Sequence, residues 1–340
     1  MRIRSDDHFG VKIISLACLT AALFFASFLV GRYAISPKTV LDIILSQFFN
    51  IAPYWEETLE TVVLQVRLPR IILGILVGGA LSVSGASYQT LFKNPMVSPD
   101  ILGVSAGAGF GAALAMIYNG QWWEIQLLAF IFGMAAVVIA YTIAYMFGRN
   151  TITVLILAGI VVSSLFQSLI SIVKTWADTE NELPAITFWL MGSLGKGKID
   201  DVLVMLPALV FSLALIFLFR NQINVLAAGE DEALTMGVNV PLVKLVVVVS
   251  STLMTVSAVS ICGIIGWVGL IVPHLARMIT GASFSKLAVT SFFIGGAFLL
   301  IIDNIIRGVE GVELPLGVLT ALVGTPVFVL LLSKVRKGWT

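Results

Sequence analysis

Stretches of about twenty apolar residues recur along almost the whole chain, and no water-soluble fold can bury them all. They fall near 11–33, 68–92, 100–118, 124–147, 152–175, 200–219, 241–262, 264–280, 285–303 and 314–334. A helix rises about 1.5 Å per residue, so about 20 apolar residues cross a hydrocarbon layer about 30 Å thick. Of the residues, 59% are hydrophobic and 11% charged, against roughly 25% charged in soluble domains. Backbone groups in lipid must pair within their own segment, so the stretches are expected to be helices. The expectation is an all-α polytopic membrane protein with about ten transmembrane helices, several of them short or broken. It forms a single transmembrane domain, residues 1–340. The eighth stretch is the shortest and carries Pro273 and Arg277.

The same residues exclude several function classes. The net charge of +1 gives no field for nucleic acid. The two cysteines, Cys18 and Cys262, lie in separate apolar runs, so no disulfide framework is expected. With two histidines, His8 and His274, a histidine-built metal site is not expected, nor is any cofactor on this chain. The first apolar run is too long for a signal-peptide core of about 7–15 residues and reads as an uncleaved span. A secondary transporter would want carboxylates at mid-membrane. Asp and Glu lie in loops or at span ends instead, with Asp303 the nearest exception. An intramembrane enzyme would need paired acids, a Ser/Lys pair or a metal cluster within the spans, and none is present.

Orientation follows from lysine and arginine. With the N-terminus inside and ten spans, 12 of the 20 basic residues and 6 of the 19 acidic ones fall on the inner side. The run Lys334-Val-Arg-Lys337 is the strongest single contribution. Both termini and the loop 224–240 are therefore expected in the cytoplasm.

Two glycine-rich runs imitate nucleotide motifs. Gly107-Ala-Gly109-Phe-Gly111 sits in an apolar span with no strand before it, and close helix packing is the better reading. Gly192-Ser-Leu-Gly-Lys-Gly197-Lys198 has Ile199 where a P-loop needs Ser or Thr for magnesium. ATP hydrolysis, if it drives transport, belongs to another subunit.

Other motifs allow a structural and a functional reading. Asn94-Pro95-Met96-Val97-Ser98-Pro99 breaks the chain between two spans, as a plain turn or as a constriction. Pro37 is placed to open a helix between the first two spans. Arg67-Leu-Pro-Arg70 and Asp303-Asn-Ile-Ile-Arg307 lie at span ends, as snorkelling anchors or as a docking site for an acidic surface. Within 224–240, Glu230 to Met236 reads as a short helix between Gly229 and a C′ glycine at Gly237, with three acids at its positive end.

Together these residues resemble the FecCD-type permeases of ABC importers for iron-siderophores, haem and cobalamin. The match is carried by Arg67-Leu-Pro-Arg70, Ser84-Gly85, Asn94-Pro95 through Gly103, Trp189 to Leu194, Gly229 with Ala233 and Gly237-Val238, Gly269 to His274 with Arg277, and Glu313 to Gly317 with Gly324-Thr-Pro326. The resemblance implies a second permease subunit, two cytoplasmic ATPase subunits and an external substrate-binding protein. It implies that Arg67, Arg70 and Arg307 dock that binding protein. Gly229, Glu230, Ala233, Leu234 and Gly237 would couple to the ATPase. Asn94, Pro95 and Met96, with Asn150 and Thr151, would close the cytoplasmic gate. Leu234 stands where the family often has Arg, and Trp267 where Phe is frequent. An iron chelate is the expected cargo, with haem, cobalamin or an oxyanion as alternatives.

Overall fold

The computed structural model describes residues 9–148, 152–309 and 314–335. Among them there is no strand. The helices in chain order are α1 (Phe9–Ser27), α2 (Pro37–Ser46), α3 (Glu57–Thr61), α4 (Leu68–Leu91), α5 (Val104–Ile117), α6 (Trp122–Gly148), α7 (Ile152–Trp176), α8 (Glu182–Leu190), α9 (Ile199–Leu218), α10 (Arg220–Ala228), α11 (Glu230–Thr235), α12 (Val240–Cys262), α13 (Val268–Thr280), α14 (Phe284–Gly308) and α15 (Leu316–Val335).

Seven helical segments are long and apolar enough to cross a membrane: α1, the continuous run from α3 through α4, α6, α7, α9, α12 and α14. The shorter apolar helices α5, α13 and α15 complete the set. These are the ten stretches read from the sequence. The boundaries differ at one informative place. The second span begins at Glu57 rather than near 68, because a wider π-helical turn, Val62–Arg67, joins α3 to α4. Pro37 does open a helix, with the Ser36 side chain accepting from the Thr39 N–H at 3.1 Å.

The centre of the bundle is α4, flanked by α12, α13 and α14. Glycine is the reason these helices approach so closely. A Cβ on Gly78 would lie 2.2 Å from the Gly295 carbonyl oxygen of α14, and one on Gly85 would lie 1.9 Å from the Gly269 oxygen of α13. Gly107 and Gly111 do the same for α5 against α6, at 2.4 Å from Phe132 O and 2.2 Å from Leu128 O. Hydroxyls then join the touching faces. Ser84 Oγ meets Thr255 Oγ1 at 2.8 Å, and Tyr88 OH meets Thr252 Oγ1 at 3.0 Å. Small residues and interhelical hydroxyl bonds are what hold helices together in a solvent as apolar as their own surfaces.

Gly85→Val should therefore separate α4 from α13. Overpacking costs about 1–3 kcal/mol where side chains can yield; here backbone meets backbone, so the loss should reach about 3 kcal/mol or more. Equilibrium unfolding in mixed micelles reads it. A variant as stable as the parent would show that the two helices have room to part.

Candidate functional sites

Contacts between helix ends divide the bundle into two ends. One holds the start of α1, the ends of α4 and α13, α10, α11 and the start of α14: Lys12 Nζ donates to Ile279 O at 2.9 Å and Lys93 Nζ to Ala228 O at 3.3 Å. The other holds the end of α1, the start of α4 and the end of α14.

At that second end the three arginines converge. The π-helical turn adds a residue per turn, which leaves Val66 48% exposed and Arg67 only 4% exposed. Arg67 donates to the carbonyls of Phe28 and Tyr33, fastening the corner after α1. Asp303, on α14, is fully enclosed. Arg70 Nε and Nη2 grip its Oδ1 at 2.9 and 2.8 Å, and Arg307 Nε stands 3.0 Å from Oδ2. Arg307 also donates to Val30 O at 3.2 Å and to Asn304, whose amide reaches Ser27 Oγ at 2.8 Å. Two guanidinium groups thus share one carboxylate, with the third, Arg67, beside them on backbone carbonyls. The surplus positive charge faces a cavity of about 270 Å³, which Arg32 also lines.

At the first end, the Asn94–Pro99 turn is closed by Asn94 Oδ1, which accepts from the Met96 N–H at 2.9 Å. Lys93 before it takes φ +48°, and Met96 is 52% exposed. Gln89, in the last turn of α4, ties this loop to α13. Its Nε2 donates to Val97 O and Leu270 O, each at 3.2 Å, and its Oε1 accepts from Arg277 Nη1 at 2.5 Å. Asn150 and Thr151 lie outside the described residues.

The α10–α11 segment hangs on two clamps. Asn224 Oδ1 accepts from the Phe284 N–H at 2.6 Å and its Nδ2 donates to Ser285 Oγ at 2.8 Å. One side chain of α10 thereby caps the N-terminus of α14, which has no cap bond from its own Ser283. Glu230 pairs with Lys244 at 2.8 Å. Gly237 takes φ +75°, with Gly237 N–H donating to Leu234 O at 3.0 Å and Val238 N–H to Ala233 O at 2.9 Å. This Schellman pattern is the C′ glycine expected from the sequence. Gly229 and Ala233 are buried, Ala233 fully. Leu234 and Met236 are 58% and 68% exposed.

Between the two ends the α12–α13 connection is not helical. At 13 residues, α13 is only about 20 Å long and cannot cross alone. Residues 263–267 complete the traverse, with Trp267 held at φ +70°. The segment after α8 ties this break to α15: Ser193 N–H donates to Cys262 O at 2.7 Å, while Gly192 O and Met191 O accept from Leu316 and Gly317 N–H at the start of α15, each at 2.9 Å. An apolar cavity of about 730 Å³ opens beside it, walled by Met191, Ile264, Trp267, Leu322 and Pro326.

The FecCD transport family matches residues 19–334. The chain belongs to that family. A molybdate import system permease protein from Haemophilus influenzae is 32% identical over 334 residues, 98% of each chain. An iron chelatin transport system permease protein from Helicobacter pylori is 33% identical, covering 95% of this chain and 98% of its own. A metal-chelate type ABC transporter solved in an inward-facing conformation is 33% identical, covers 96% of this chain and 99% of its own, and superposes with a TM-score of 0.84. This FecCD permease is accordingly the membrane-spanning permease of an ABC importer, a multi-pass protein of the cell membrane.

Sequence reading missed Gln89 and Asn224 in the FecCD permease. Both sit in stretches whose partners are far along the chain: Gln89 with Arg277, Asn224 with Phe284 and Ser285. A glutamine inside an otherwise apolar and small-residue span was the available signal for the first. It also read Arg70, Arg307 and Asp303 as separate end-of-span residues, when Asp303 holds the two arginines together.

Proposed function

We propose that this permease moves an iron chelate, delivered by an external substrate-binding protein, into the cytoplasm, powered by two separate ATPase subunits beneath a permease dimer. The observation that carries the cargo class is the apolar cavity at the broken α12–α13 connection. Its walls offer bulk rather than ligating groups, which suits a large chelate that is released and not gripped. The likeness to a metal-chelate type ABC transporter over 96% of the chain supports it. One observation favours a small oxyanion: the arginine-lined cavity, together with the likeness to a molybdate permease. The deciding experiment reconstitutes the importer with its binding protein and measures uptake of ferric siderophore, haem, cobalamin and molybdate. Siderophore uptake alone is expected; molybdate uptake alone would replace the chelate reading.

In this reading the arginine end is external and docks the binding protein through Arg70 and Arg307, with Arg67 bracing the corner beneath them. The α10–α11 segment is cytoplasmic and meets the ATPase. Single cysteines introduced at positions 180 and 231 check this: a membrane-impermeant reagent added outside should label 180 and spare 231. The reverse pattern inverts the topology.

The Asn94–Pro99 turn is the proposed gate, and Gln89 its latch to α13. Gln89→Met removes the donor to Val97 O and leaves Arg277 without its acceptor. ATP-driven uptake should fall about ten-fold or more, a hydrogen bond to a charged group being worth about 1.5–3 kcal/mol. Basal ATP hydrolysis should be retained. Unchanged uptake would show that the loop is positioned without Gln89.

A further inference from the structure

A groove runs between α9 and α14. Its walls are apolar: Leu213, Ala214 and Phe217 on α9, with Ala288, Phe292 and Phe293 on α14, and its volume is about 470 Å³. It extends from Phe293 to Phe284 along α14, and from Val210 on α9 to Arg220 at the start of α10. Ten residues of helix span about 15 Å, half of a hydrocarbon core about 30 Å thick. The groove therefore has the depth of one leaflet, on the side of the bundle that carries α10.

Its mouth is polar. Arg220 closes the end of α9, with its guanidinium 3.9 Å from the Phe217 ring centre and Nη1 donating to Phe217 O at 2.8 Å. That bond uses one of five N–H donors. The stacking holds the rest at the rim. Ser285 lies at the same mouth, and its hydroxyl is the one that accepts from Asn224. The groove thus opens beside the clamp from which α10 hangs.

We propose that this groove binds an anionic phospholipid of the leaflet beside α10, its phosphate on Arg220 and an acyl chain along Phe292, Ala288 and Phe217. Charge complementarity selects the head group: guanidinium pairs with phosphate oxygens in a fork, and in a choline lipid the quaternary ammonium already offsets the charge of that phosphate. A bound chain also fills the space under the Asn224–Ser285 clamp and steadies the α10–α11 segment. Calling that leaflet cytoplasmic, and the segment a coupling element, rests on the function proposed above; lipid binding itself does not.

The test uses the assembled transporter in nanodiscs of phosphatidylglycerol and phosphatidylcholine, with retained lipid counted by native mass spectrometry. One phosphatidylglycerol per permease should be kept in preference to phosphatidylcholine. A basic residue near a membrane surface contributes about 1 kcal/mol toward anionic lipid, so Arg220→Gln should lower that preference about five-fold, and Arg220→Lys should restore most of it. Ala288→Trp, which fills the groove, should release lipid of either head group. An equal preference in parent and Arg220→Gln would mean that Arg220 merely caps α9, and would overturn the proposal. Retention undiminished in Ala288→Trp would place the lipid elsewhere and overturn it equally. Impermeant labelling of a cysteine at position 231 in vesicles reads sidedness separately. A groove that holds lipid while 231 labels from outside corrects the topology and leaves the site intact.

Discussion

Asp303→Leu should be the most destabilising single change at the arginine end, at about 3–5 kcal/mol, because it strands buried cations that the carboxylate now neutralises. The side chain of Asp303 is fully enclosed, and those of Arg70 and Arg307 are 16% and 8% exposed. Removing Arg70 together with Asp303 removes a charge and its counter-charge. The double variant Asp303→Leu/Arg70→Met should therefore be more stable than Asp303→Leu alone, by about 2 kcal/mol, within the range of coupling between contacting residues. Unfolding of all four members of the cycle in mixed micelles measures it. Additive single changes would mean that the pair carries no net interaction. The cluster also sets how docking is probed. Replacing Arg67 breaks the corner held through Phe28 and Tyr33. Loss of binding-protein affinity is thus interpretable for Arg70 and Arg307 variants matched for folding, and not for Arg67.

The ten-helix architecture was legible because a bilayer imposes one simple rule. Each span must be apolar and about 20 residues long, and hydropathy records that directly. Of the short members, α5 was legible because Pro99 marks the break before it; Pro273, read as interrupting the eighth run, lies instead inside α13, and the break falls at residues 263–267, where Gly263 and Trp267 take positive φ. The π-helical turn Val62–Arg67 was not legible. It depends on Arg67 finding carbonyls at Phe28 and Tyr33, far along the chain, and no local propensity encodes that. Gly237 was legible because a C′ glycine is a local requirement; the Asn224 cap on α14 was not, because it is supplied by another helix.

The same distinction governs the α10–α11 segment. Its short helix, its acids and its bracketing glycines could all be read locally. Which of its residues face outward could not, since that depends on how α11 lies against α12. Ala233, expected at the contact, is fully enclosed by its own chain, whereas Leu234 and Met236 stand free.

That geometry separates two neighbouring substitutions. Ala233→Arg forces a long cation into a fully buried site, so α11 itself should deform, and the effect should show as lost stability of the isolated permease. Leu234→Asp with Met236→Asp alters exposed side chains, and the isolated permease should unfold as the parent does. The loss should appear on assembly. Burying a Leu or Met side chain contributes about 1.5–3 kcal/mol each, and an aspartate buried in its place without a partner adds a desolvation cost. The double variant should therefore bind the ATPase at least about a hundred-fold more weakly. Uptake should stop while the ATPase and the permease each remain folded. Affinity of purified ATPase for the reconstituted permease, with thermal unfolding of the permease alone as the control, separates the two mechanisms. Unaltered ATPase affinity in the double aspartate variant would remove α11 from the interface and send the search for the coupling surface to another part of this end of the bundle.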